Sequence, residues 1–186
     1  MPALLPSLAL TLLCLLQAVA EVPLQPNFNA EKFAGMWRVT AVASNCPVFL
    51  KMKDDMKSST ATISITSEGD LAMTLVWLLM GKCQKFEVLF QHSKEAGHYL
   101  AAQEQKELHV METDYSHYAI LHEVQRGGQE PSTGLQLLTR DQNVSPQLLQ
   151  KFKELIPSMG LAEEMLAVLP ASDQCMAEGS WVSLPA

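Results

Sequence analysis

The chain of 186 residues is predicted to be all-β: an eight-stranded antiparallel up-and-down β-barrel with one C-terminal α-helix packed outside. Three observations predict it. Short apolar runs recur about every ten residues from Met36 to Arg140, with Gly-bearing turns between them. Several of these runs alternate apolar and polar residues, the period of a sheet that is buried on one face and wet on the other. No helical pattern separates the runs, so consecutive strands join as antiparallel hairpins. Closing the sheet removes its two exposed edges.

The runs follow in order. "MWRVTAVAS" spans Met36 to Ser44, and "TATISIT" spans Thr60 to Thr66 before a turn at "SEGD". In the second run Ser59, Ala61, Ile63 and Ile65 share one face, with threonines and Ser64 on the other. "LAMTLVWLL", Leu71 to Leu79, is apolar on both faces, so either another element covers its outer side or that side is a contact surface. "QKFEVLFQH" alternates from Gln84 to His92. "HYLAAQ", "ELHVMET", "HYAILHEV" and, after the turn "RGGQEP", "TGLQLLTR" complete the eight. The pattern then changes to a helix. Ser145 is a fitting N-cap, Pro146 fits the first helical position, and Leu148, Leu149, Phe152, Leu155 and Ile156 recur at helical spacing. "LAEEMLAVLP" suggests one more turn and a short strand. Residues 177–186 show no periodicity and are expected to form a flexible tail.

The first 20 residues have an apolar run from Leu8 to Leu16 and end in Ala18-Val19-Ala20. They carry no Lys or Arg, but small residues at the minus-three and minus-one positions suit signal peptidase. The run is too short to span a bilayer, which takes roughly 20 residues. Residues 1–20 are therefore expected to be a signal peptide, with residues 21–186 forming one secreted, extracellular domain without membrane insertion. The net charge of -7 argues against nucleic acid and anionic membrane surfaces as partners. Cys14 leaves with the signal, and Cys46, Cys83 and Cys175 remain. Secretion favours a disulfide; three cysteines allow three pairings and leave one thiol over.

At this point specific residues stand out. Asn29, Lys32, Phe33, Gly35 and Trp37 form N-x-x-K-F-x-G-x-W after the signal. Thr113, Asp114 and Tyr115 form T-D-Y between the sixth and seventh strands, and Arg140 ends the eighth. In this order and spacing they resemble the three-part signature of the lipocalin family, and the resemblance covers essentially the whole mature chain. "LQPNF", "ETDYSHYAIL" and "LPASDQCM" resemble the secreted prostaglandin-D-synthase-like group of that family. The resemblance implies that Trp37 closes the floor of the barrel with Arg140 packed across it, so that the other end stays open. It also implies a disulfide between Cys83 and Cys175. A bridge closing a loop of that length stabilises by about 4–5 kcal/mol before any strain.

The implied function is a carrier of one small hydrophobic molecule, such as a retinoid or fatty acid, in the barrel cavity. Counted inward from Trp37, the period of two places Val39, Ala41 and Ala43 on the first strand's inner face. Ala61, Ile63 and Ile65 follow on the second, Met73, Leu75 and Trp77 on the third, and Phe86, Val88 and Phe90 on the fourth. Leu108, Val110, Leu121 and Leu138 complete the set, with Trp77, Met73 and Phe90 favoured for ligand contact. The lining has few positive charges, which disfavours anionic iron chelates. The alternative is catalysis. The synthase of the resembled group uses a cavity-facing Cys thiolate on the second strand, and the gap-free alignment puts Ser59 there. A hydroxyl without an activating base is a far poorer nucleophile. No histidine lies in that strand, and Cys46 sits in the loop over the open end, so a non-enzyme is expected. None of the five histidines pairs in HxxxH or HxH spacing, so they read as surface or rim residues, with no metal or cofactor expected. Asn143-Val144-Ser145 is a glycosylation sequon whose use Pro146 should reduce. A monomer is expected, with a cell-surface receptor as a further partner.

Overall fold

The computed structural model describes residues 22–79, 81–128, 130–175 and 181–183. The expected signal peptide therefore lies outside the described residues, as does most of the expected tail. Eight strands form the ring of the barrel: β1 (Gly35–Ser44), β2 (Ser59–Ile65), β3 (Leu71–Leu79), β4 (Lys82–His92), β5 (His98–Ala101), β6 (Lys106–Thr113), β7 (Tyr118–Gln125) and β8 (Ser132–Thr139). Each pairs antiparallel with the next, and β8 pairs back onto β1, which closes the barrel. The seam is thinnest between β4 and β5, where only Gln91 with Leu100 and His92 with Tyr99 are in register. Period two decides the burial of β2: Ala61 and Ile63 are buried, while Thr62 and Ser64 are exposed.

The floor lies at the start of β1 and the mouth at its end. One helical turn, α1 (Ala30–Phe33), precedes β1, and its N-cap Asn29 accepts a hydrogen bond from the Lys32 backbone N–H at 2.9 Å. At the mouth, the β1–β2 connection contains α2 (Pro47–Met52), a helix too short for sequence periodicity to announce. The helix α3 (Pro146–Leu155) starts at Ser145, whose hydroxyl accepts from the Leu148 N–H at 3.1 Å. Phe152 and Ile156 are fully buried against the outside of the barrel, on Ile120, Leu135 and Leu137. Burying each such side chain stabilises by about 1.5–3 kcal/mol.

The expected short strand after the helix is β9 (Leu166–Val168), which pairs with the second half of β1. This changes the first strand. Gly35 to Val39 of β1 pair with β2, whereas Ala41 to Ala43 pair with β9. Thr40 is an extra residue where the register with β8 shifts. Its carbonyl accepts from the Leu169 N–H at 2.8 Å, and its hydroxyl lies 2.6 Å from the Thr139 hydroxyl. A bulge of one residue reverses the facing of everything after it. Ala41 and Ala43, expected to face inward, instead pack outside with Phe152 and Ile156, and Val42 takes the inward place.

Cys83 and Cys175 form a disulfide, and Cys46 is free. Together with Val76 and Leu78 the bridge makes a small cluster outside β3 and β4, so the C-terminal segment covers the outer side of the two-faced apolar run. Within the sequence span left without periodicity, β10 (Trp181–Ser183) runs parallel to the start of β4. No described helix is long and apolar enough to cross a membrane.

Candidate ligand cavity

The floor is sealed by Trp37, which is fully buried. Its indole N–H donates to the Phe33 carbonyl at 2.8 Å. The Arg140 guanidinium stacks 3.6 Å from the ring centroid and donates to the carbonyls of Met36 (2.8 Å), Ala34 (2.9 Å) and Tyr115 (3.1 Å). A planar fork of donors suits this crowd of acceptors, which a lysine could not serve together. Burial lowers the Arg140 pKa from its ordinary value. Gly35, at φ +105°, leaves room for the guanidinium: a Cβ there would stand 3.1 Å from Arg140 Nη1.

The T-D-Y turn braces the same end. Asp114 Oδ1 accepts from the backbone N–H groups of Ser116 (3.1 Å), His117 (2.7 Å) and Tyr118 (3.1 Å). Burial pushes this carboxyl's pKa up, but the N–H groups of His117 and Tyr118, together with the His117 ring, outweigh it and hold the pKa below the ordinary value. The Thr113 hydroxyl donates to the Tyr118 carbonyl at 2.7 Å, and the Tyr115 hydroxyl accepts from the Asn29 N–H at 3.0 Å.

Above the floor, Phe90, Met73, Leu138 and Leu121 are packed together, and the hollow begins only beyond them. It is a cavity of about 890 Å³. One wall is apolar: Val42 from β1, Phe49, Met52 and Met56 from the α2 connection, Leu75 and Trp77 from β3, Phe86 and Val88 from β4. The opposite wall, from β6 to β8, is polar, with Lys106, Glu123, Gln125 and Gln136. Lys106 and Glu123 form an ion pair at 3.4 Å, and Gln136 donates to Glu123 at 3.4 Å. Lys85, Glu87 and Glu104 also border the space, which brings it to the thin seam between β4 and β5.

Of the residues expected to line the cavity, Leu75, Trp77 and Val88 border it. Val39, Ala61, Ile63, Met73, Phe90, Val110, Leu121 and Leu138 face the barrel interior but belong to the packed layer beneath, and Ala41 faces outward. Sequence reasoning missed the polar wall, although its signal was present. Lys106 is in phase with Leu108, Glu123 with Leu121, and Gln136 with Leu138, so the period put all three inside; only their polarity hid them. Ser59, at the position of the resembled group's catalytic cysteine, is buried, and its Oγ has no hydrogen-bond partner among the described residues. Cys46 borders the mouth. Asn143 is exposed ahead of α3, and the sequon hydroxyl of Ser145 is occupied as the N-cap.

A family model described as "Lipocalin / cytosolic fatty-acid binding protein family" matches residues 34–173. "Lipocalin-15" of Homo sapiens is 39% identical over 170 residues, covering 91% of this chain and 92% of that one. "Extracellular fatty acid-binding protein" of Gallus gallus is 33% identical over 172 residues, covering 91% and 94%. "Prostaglandin-H2 D-isomerase" of Equus caballus is 31% identical over 170 residues, covering 87% and 88%. A solved structure described as "The Siderocalin Ex-FABP functions through dual ligand specificities" superposes with a TM-score of 0.71 at 30% identity, covering 76% of this chain and 95% of that one.

Proposed function

The chain belongs to the lipocalin / cytosolic fatty-acid binding protein family, and we propose that it is a secreted, monomeric carrier of one small lipophilic molecule held in the barrel cavity. The observation that carries this is the two-sided hollow of about 890 Å³. Small-molecule sites are typically concave, mostly apolar, and fitted with a few polar groups that fix orientation. An apolar chain or ring system packs on Trp77, Phe86, Val88 and Phe49. A polar head group meets Lys106, Glu123 and Gln136 on the other wall. A retinoid or a fatty acid has this shape. Lys85 and Lys106 are balanced by Glu87, Glu104 and Glu123 around the cavity, which disfavours a multiply anionic iron chelate. The relative named an extracellular fatty acid-binding protein supports both the carrier role and the location.

Trp77 gives the test a built-in reporter. Titration with retinol, retinoic acid and long-chain fatty acids is expected to quench Trp fluorescence saturably, and Trp77→Phe to remove most of the quench. No saturable quench across such a panel would defeat the reading.

The relative named an isomerase keeps a second reading in view. Isomerisation in that manner needs a thiolate facing the cavity. Ser59 offers a hydroxyl whose Oγ has no hydrogen-bond partner among the described residues, and Cys46 offers a thiol at the rim rather than in the depth. Incubation with prostaglandin H2 is expected to give no product above the buffer background. Turnover that Cys46→Ser abolishes would establish the enzymatic reading instead.

A further inference from the structure

Three histidines far apart along the chain are neighbours in the sheet. Strand register sets His98 of β5 opposite His109 of β6, and His109 opposite His122 of β7. Tyr99, Leu108, Val110 and Leu121 face the interior, so the alternate positions put all three imidazoles on the outer face. The rings of His98 and His109 stack with centroids 4.4 Å apart and planes within 9°. The His122 ring lies 5.5 Å beyond, tilted by 41°. Glu107 stands two residues before His109 on the same face. Its Oε2 is 3.9 Å from His98 Nε2, and one ligand atom from each of His98, Glu107 and His109 falls within 4.8 Å of the others.

His98 Nε2, His109 Nδ1 and His122 Nδ1 are buried atoms without a hydrogen-bond partner among the described residues. Orphaned buried nitrogens are rare in folded proteins, and here each of the three rings carries one. His122 uses its other nitrogen on the Thr133 hydroxyl at 2.8 Å. Arg126 donates to Oε1 of Glu107 at 2.6 Å, which leaves Oε2 for a second cation. The side chains of His98 and Glu107 are 21% and 23% exposed, sheltered but within reach of an ion from solution.

We propose that His98, Glu107 and His109 bind one late first-row divalent cation, Zn²⁺ or Cu²⁺, on the outside of the barrel. Two imidazole nitrogens and one carboxylate oxygen form a borderline donor set, which suits these ions over Ca²⁺ or Mg²⁺. Three protein ligands leave a fourth position for water. Tetrahedral ligands around zinc stand roughly 3.4 Å apart, so donors now within 4.8 Å of one another must draw in by up to about 1.4 Å, a shift that rotation of the half-buried His98 ring and of the Glu107 carboxylate supplies. His122 packs behind His109 and positions it. Because β5 is tied to β4 by two residue pairs only, an ion shared between β5 and β6 would reinforce the side of the barrel that has the fewest ladder bonds.

The test is calorimetric titration of the metal-stripped protein with ZnCl₂, with electron paramagnetic resonance of the Cu²⁺ adduct to count nitrogen ligands. One equivalent is expected to bind with micromolar affinity or better, with two nitrogens in the spectrum and a raised Tm. His98→Gln and His109→Gln are each expected to weaken binding by about tenfold or more, and Glu107→Gln by a smaller factor. His92→Gln and His117→Gln, whose rings pair with Asp70 and Asp114, should leave it unchanged. Far-UV circular dichroism and cooperative thermal unfolding report separately whether each variant is folded. If His109→Gln does not fold, the His98 variant decides. Failure to bind zinc below about 1 mM, or binding that His98→Gln and Glu107→Gln leave intact, overturns the proposal without touching the carrier reading.

Discussion

The two ends of the barrel are built on opposite plans. The floor is closed by one stacked pair, Trp37 and Arg140, and its donors meet backbone carbonyls. The mouth is open, lined by a short helix on one side and by charged and amide side chains on the other. The floor stores stability and the mouth stores recognition. The two tryptophans that face the interior separate these roles, since Trp37 is fully buried and Trp77 only half-buried at the cavity wall.

Truncation at the two sites should therefore diverge. Trp37→Ala is expected to cost about 3–5 kcal/mol in urea unfolding, because it opens a void and strands the guanidinium. Trp77→Ala enlarges a space already open to solvent and is expected to cost about 1 kcal/mol or less while weakening ligand binding roughly tenfold. Equal losses of stability would break the comparison.

The first strand offers a finer cut, because adjacent residues belong to different plans. Ala41→Leu overfills the interface with α3 and should destabilise by about 1–3 kcal/mol with ligand affinity preserved. Val42→Trp should instead reduce affinity at smaller cost to the fold. The reverse pattern, read by paired unfolding and quenching titrations, would put Ala41 back inside.

The smallest expected effect is at Asp114, whose folded-state pKa lies below the ordinary 3.8. On acidification the unfolded chain takes up this proton first, so the contribution of Asp114 is whole above about pH 5 and is lost as the pH falls below 4. Asp114→Asn is expected to cost about 1 kcal/mol near pH 7, with the gap to the parent protein narrowing below pH 4. A gap independent of pH would show that the carboxylate's charge is immaterial to the turn.

The strands were legible because alternation and Gly-bearing turns are local signals. The helix α3 was legible because its cap, proline and apolar spacing agree. The floor was legible through Trp37, Arg140 and the T-D-Y turn, whose residue types are rare enough to be recognised together. What escaped was decided by pairing across the chain. Nothing around Thr40 announces a bulge; its hydrogen bonds run to Leu169 and to Thr139. The α2 connection contributes Phe49 and Met52 to the cavity from a helix of 6 residues, shorter than any window that reveals periodicity. The histidine row exists only once β5, β6 and β7 are in register, which spacing along one strand does not encode.

The Cys83–Cys175 bridge has a consequence beyond holding the fold. It delivers the chain's last segment to the rim of β4, where Trp181, Val182 and Ser183 lie in parallel register with Cys83, Gln84 and Lys85. A covalent leash makes that strand addition a local event, favoured over docking of another molecule's strand. Such a strand addition would guard the start of β4 against the edge-to-edge oligomerisation that unpaired β-edges invite. Reduction would then expose it to self-assembly at high concentration before it cost the barrel its shape.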